Sequence, residues 1–187
     1  MTSTTLDLLT WSAVSAAGLL SFMLLTGSVV TGLRIRAGRA LPGLGRDETV
    51  RIHRHLTGFA LIGLCAHMVL AIADPYTRLG FDEAFLPFTA PVSRLAYGLG
   101  SLAVWLVAVI ALTSIARRFL PVRLWRTVHL SAYAMWGLAL AHAWLAPSTA
   151  GTATLLITGG GAMLVALTAL DCRLLRRSPT LLLRRNR

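Results

Sequence analysis

The chain has 187 residues, of which 56% are hydrophobic and 13% charged, with a mean hydropathy of +0.70. Soluble domains carry about 25% charge, so this composition excludes an ordinary water-soluble fold, and it equally excludes disorder, which requires low hydrophobicity and high charge. The charge is skewed as well: 18 basic residues, all arginine, stand against seven acidic ones, a formal net charge of +11.

In chain order, four long uncharged runs dominate. Leu8 to Leu33 spans 26 residues, Leu56 to Ala73 18, Leu95 to Ala116 22 and Thr127 to Leu170 44. One crossing needs about 20 residues to cover roughly 30 Å of hydrocarbon. The longest run is therefore read as two spans joined by a turn at Pro147-Ser148-Thr149-Ala150-Gly151. The expected fold is all-α: a single integral membrane bundle over 1–187, in contact with the lipid bilayer, with five spans at about 8–33, 53–73, 95–116, 127–146 and 151–171. Met1 to Leu8 contain no Arg or Lys, so the first run is read as a span, not a cleaved signal.

The arginines orient the bundle. Arg34, Arg36, Arg39, Arg46, Arg51 and Arg54 follow the first span. Arg117, Arg118, Arg123 and Arg126 follow the third. Arg173, Arg176, Arg177, Arg184, Arg185 and Arg187 form the tail. Only Arg78 and Arg94 fall on the other side, beside Asp74, Asp82 and Glu83. Positive charge collects in cytoplasmic loops, which predicts a plasma-membrane protein with its N-terminus outside and its C-terminus in the cytoplasm. Arginines interleaved with membrane spans argue for this topological use and against nucleic-acid binding. The outer segment Asp74 to Arg94, with Phe81, Phe85, Leu86 and Phe88, is expected to lie in the interface as an amphipathic cap. Gly159-Gly160-Gly161 has no preceding strand and no following Lys-Ser/Thr, so it is read as close helix packing and not a phosphate loop. No dinucleotide fingerprint occurs. Cys65 and Cys172 form no CxxC pair and are read as reduced, structural residues.

The five histidines are His53, His55, His67, His129 and His142. All fall on the second and fourth predicted spans, and an ionisable side chain at membrane depth points to function. His53 and His67 are 14 residues apart, about 21 Å of helix; His129 and His142 are 13 apart, about 19.5 Å. Both spans run from the inside outwards, so His53 and His129 share an inner level and His67 and His142 an outer one. One lone histidine would be as readily a packing residue; four at matched depths are not. Zinc asks for three or four protein ligands, and no carboxylate lies at depth to complete such a set. Two imidazoles per level suit a b-type haem, whose macrocycle supplies the other four nitrogens. The reading is two stacked haem b groups, non-covalent because no CxxCH is present. His55, two residues from His53, faces elsewhere and is assigned an interfacial or propionate-contacting role, with an exchange of roles with His53 as the alternative. Haem propionates favour nearby cations, and Arg54 and Arg126 are the preferred candidates. Trp136, Tyr133 and Phe59 fall between the levels as core aromatics. The 13-residue interval leaves His142 about 140° off the face of His129 on a straight helix, so the expectation is a tilt, kink or loosening near Gly137, or an approach to the two rings from different sides.

At these residues the chain resembles the ferric-reductase-like transmembrane domain, the membrane core of ferric reductases and NADPH oxidases and the haem-binding partner of periplasmic methionine sulfoxide reductase. The resemblance lies in His53-Arg54-x-Leu56, in Ala66-His67-Met68-Val69-Leu70 running to Asp74-Pro75, in Pro87-Phe88, and in Trp125-Arg126-Thr127-Val128-His129 with His142 following. It covers roughly Arg51 to Leu145 and implies transmembrane electron transfer, with His53 and His129 on the inner haem iron and His67 and His142 on the outer. The best-known members have six helices, against five here. The tail after Leu170 is too short for the flavin- and NADPH-binding domain of the full oxidases. Any reductase activity therefore calls for a separate donor, a flavoprotein or membrane quinol, and an extracytoplasmic acceptor such as ferric iron, oxygen or a partner protein. The rival readings are a non-catalytic haem subunit of a larger redox complex and a haem-free transporter.

Overall fold

The computed structural model describes residues 3–74, 79–147 and 151–177. Arg78, the turn residues 148–150 and the tail arginines from Arg184 onward lie outside the described residues.

The fold is all-helical: α1 (Ser3–Arg36), α2 (Arg46–Ala73), α3 (Phe81–Phe85), α4 (Arg94–Ile115), a 3₁₀ turn at Ala116–Phe119, α5 (Val122–Leu130), α6 (Ala132–Leu145) and α7 (Gly151–Arg177). Four helices are long and apolar enough to cross a membrane: Leu8–Arg36, Arg46–Ala73, Arg94–Phe119 and Gly151–Leu174. The chain is thus a multi-pass membrane protein. Its exterior carries bare apolar side chains such as Phe59, Ile62, Val69, Leu112, Ile115 and Leu156, a surface suited to lipid.

The remaining predicted span, 127–146, is not one helix. It is α5 and α6, interrupted at Ser131. The cause is local: the Ser131 amide bonds Val128 O at 3.0 Å, an i−3 step, and its Oγ donates to the same carbonyl at 2.6 Å. A serine hydroxyl competing for a helix carbonyl and a tightened turn are both known causes of helix irregularity. The interruption lies six residues before Gly137, which sits inside α6 with open space where a side chain would be. The expected kink at Gly137 is therefore corrected to a break at Ser131.

The second span also starts earlier than hydropathy predicts. Arg46, Asp47 and Glu48 form the first turn of α2, with Glu48 Oε2 accepting the Gly45 N–H at 2.7 Å. Carboxylates favour a helix N-terminus, but they hide its start from an apolar-run count.

α1 packs against α2, α6 and α7, while α4 packs against α5 and α6. The arginine-rich end is tied by Arg34, whose guanidinium lies 3.5 Å from Asp171 on α7. The core cluster of Leu25, Ala60, Ala103, Val107 and Met135 lies at mid-bundle. Trp136 joins it, stacked on Phe22 at 5.7 Å and donating to Thr26 Oγ1 at 3.0 Å. Phe59 and Tyr133 are instead exposed. Of the glycine run in α7, Gly161 meets α1 at Thr26 and Phe22, whereas Gly159 and Gly160 face open space. Close packing thus falls to one glycine of the three.

At the opposite end the expected cap contains the short helix α3. It docks on α4 through Ser101 Oγ to Ala84 O (2.9 Å) and Trp105 Nε1 to Phe85 O (2.8 Å). Phe88, at φ 64°, sets its ring against Gly98, and Arg94 Nε donates to Phe88 O.

Candidate cofactor site

Helices α2, α5 and α6 bring the four predicted histidines together in two pairs. His53 and His129 have ring centres 6.2 Å apart; His67 and His142 have theirs 6.3 Å apart. Both pairs show the same interplanar angle, 71°. A bis-imidazole metal centre needs about 6.3 Å between ring centres, from two metal–nitrogen bonds of about 2.0–2.1 Å and about 1.1 Å from each nitrogen to its ring centre. His55 is exposed and belongs to neither pair.

The second nitrogen of each ring is engaged. His67 Nδ1 donates to Val14 O at 2.9 Å, and His142 Nδ1 donates to Ala96 O at 2.8 Å. His53 Nδ1 donates to Ser28 O at 3.0 Å, with Ser28 Oγ and Thr31 Oγ1 each 3.2 Å away. His129 Nδ1 has Ser114 Oγ at 3.4 Å. A proton held on Nδ1 leaves Nε2 as the lone-pair nitrogen, the usual arrangement behind a metal-bound imidazole.

Behind the rings stands a frame that the histidine pattern alone does not reveal. A Cβ on Gly18 would meet the His67 ring at 2.9 Å, and one on Gly100 would meet His142 Nδ1 at 2.8 Å. At the other level, a Cβ on Gly32 would lie 3.5 Å from His53, and Ser114 occupies the matching place beside His129. Gly18 and Gly32 are 14 residues apart on α1, and Gly100 and Ser114 are 14 apart on α4. Each repeats the His53–His67 interval, so α1 backs the ligands of α2 while α4 backs those of α5 and α6.

Among the described residues, no group of three or more His, Cys, Asp or Glu could hold a metal ion unaided. Cys65 is exposed. Two imidazoles per level, spaced for a metal between them and lacking further side-chain ligands, fit an iron already equatorially bound by a macrocycle. The donor set thus fits haem. An apolar cavity adjoins the second pair, lined by His67, His142, Gly18, Gly100, Val14 and Leu64.

Arg54 and Arg126, the predicted propionate partners, are both exposed. The guanidinium that reaches toward a histidine is that of Arg117, 4.2 Å above the Trp125 ring, and Trp125 stacks on His129 at 5.0 Å and 25°. The Trp125 Nε1 is buried without an acceptor among the described residues.

The family model for the ferric reductase like transmembrane component matches residues 17–155. The chain belongs to that family. The match takes in all four paired histidines and all four backing positions, Gly18 and Gly32 on α1 and Gly100 and Ser114 on α4. Membership supports transmembrane electron transfer in general terms. No curated protein and no solved structure matches the chain.

Proposed function

We propose that this ferric reductase-like chain moves electrons across the membrane through two b haems, one held by His53 and His129 and the other by His67 and His142. The observation that carries the reading is the repeated pair geometry, 6.2 and 6.3 Å at a common 71°. When bound, the haems supply the one-electron chemistry. The chain's own residues do the rest. Nδ1 contacts fix each imidazole's tautomer and orientation; Gly18, Gly32 and Gly100 let the rings back against α1 and α4; and the apolar bundle excludes water between the levels. Phe22 and Trp136 fill the space between them.

In this reading the arginine-rich end faces the cytoplasm and receives electrons from a separate flavoprotein or from membrane quinol. The capped end passes them to an extracytoplasmic acceptor, ferric iron or a partner protein among the candidates. An inside-negative membrane potential favours that direction by about 2.3 kcal/mol per 100 mV for a full crossing. Arg54 and Arg126, both exposed, are the cations assigned to the inner propionates in this reading.

The test is a reduced-minus-oxidised spectrum and haem assay on the purified, membrane-inserted protein expressed with ample porphyrin supply. Two haems per chain with b-type bands are expected. A colourless, properly inserted protein overturns the proposal.

A further inference from the structure

We infer that Trp125 and Arg117 are positioning residues for His129, holding its imidazole by stacking where the other three are held through backbone carbonyls, and so tuning the inner haem separately from the outer one. The inference rests on the two-haem reading above.

Three observations converge. His129 has the weakest tether of the four: a hydroxyl at 3.4 Å, against carbonyls at 2.8 to 3.0 Å for His142, His67 and His53. An indole is also stacked on its ring, at 5.0 Å and 25°. And the indole is itself covered by a guanidinium, Arg117 Cζ lying 4.2 Å from the ring centre. Arginine stacks favourably on aromatic faces, so the three groups form one column running from the exposed 3₁₀ turn to the ligand.

The column also accounts for placement along the chain. His129 is two residues from the interruption at Ser131, so regular helix on its C-terminal side cannot orient it alone. Trp125, one turn earlier in α5, supplies the missing constraint from its N-terminal side.

Two electronic consequences follow. A ring N–H donated to a carbonyl makes the imidazole a stronger donor, and His129 receives less of this than its counterparts. A fixed positive charge at Arg117 favours the reduced state of a nearby iron. Both act on the inner level and neither reaches the outer one.

The experiment uses the full chain with its haems, titrated potentiometrically so that two components resolve. His129→Ala, which lacks the inner haem, identifies which component is which. Arg117→Gln is expected to keep two haems per chain and to make reduction of the inner component about threefold to tenfold less favourable, the upper end being about 59 mV for one electron. The outer component should not move. Trp125→Leu should shift the same component and weaken its ligation, with added imidazole restoring the low-spin spectrum, and Trp125→Phe should recover most of the wild-type behaviour. An unmoved inner component in Arg117→Gln, equal movement of both components, or a Trp125→Phe protein as perturbed as Trp125→Leu overturns the inference. Should Trp125→Leu fail to insert, Arg117→Gln decides, because Arg117 is exposed. Wild-type protein without haem would sink the two-haem reading itself; two haems with an unmoved inner component sink only the role given to Trp125 and Arg117.

Discussion

The two histidine levels share one plan and differ in what holds it. At the outer level both imidazoles donate to main-chain carbonyls and both back onto glycine. At the inner level His53 has a carbonyl too, Ser28 O, but shares its Nδ1 with the Ser28 and Thr31 hydroxyls, and His129 leans on Trp125 with only the Ser114 hydroxyl behind it. A carbonyl in a long helix moves only if the helix moves. Side-chain hydroxyls and stacked rings move far more readily. The difference teaches that one pair geometry can be reached with both rings on rigid backbone at one end and with one ring held by side chains alone at the other. The outer site tolerates little change near its rings; the inner site is the adjustable one.

The largest effect that would break this comparison is loss of a whole site. His142→Ala should reduce haem content from two per chain to one, with the helical content and the inner spectral component retained. Retention of both haems would reject the outer pairing. A smaller but more discriminating effect comes from the backing residues. Gly100→Val introduces a Cβ at 2.8 Å from His142 Nδ1, and overpacking of this kind costs about 1–3 kcal/mol. The outer haem should be largely lost. Gly32→Ala places its Cβ at 3.5 Å from the His53 ring, an ordinary contact, and should leave both haems in place. Haem stoichiometry on the two variants checks the contrast directly. Equal tolerance of both changes would mean that the outer frame is as yielding as the inner one.

Much of this was legible in the residues themselves. An ionisable ring in an apolar run stands out, and four of them at intervals of 14 and 13 imply two depths from spacing alone. Hydropathy finds the four continuous spans because burial in lipid is averaged over whole helices. What stayed hidden is non-local or finely local. The glycine frame repeats the 14-residue interval on α1 and α4, yet the chain has 16 glycines, and small residues serve many purposes in membrane helices. The interval acquires meaning only once the packing partners are known. Arg117 reaches Trp125 across a turn between two helices, a contact that sequence spacing does not encode.

The break in the fourth predicted span shows the same limit at the smallest scale. Glycine is the residue that sequence reasoning suspects of loosening a helix, and Gly137 lies between the two ligands. The hydrogen bonds instead place the irregularity at Ser131, where a hydroxyl and an amide converge on Val128 O. If Gly137 were the hinge, adding a side chain there would stiffen it and disturb the spacing of His129 and His142. If it is an ordinary helical position with open space around it, alanine relieves only the entropic cost of glycine in a helix, about 0.5–1 kcal/mol. Gly137→Ala should therefore raise thermal stability slightly and leave both spectral components unchanged. A loss of the outer component with normal insertion would restore the hinge to Gly137. It would also mean that the interruption at Ser131 does not by itself reconcile a 13-residue interval with two imidazoles at matched positions.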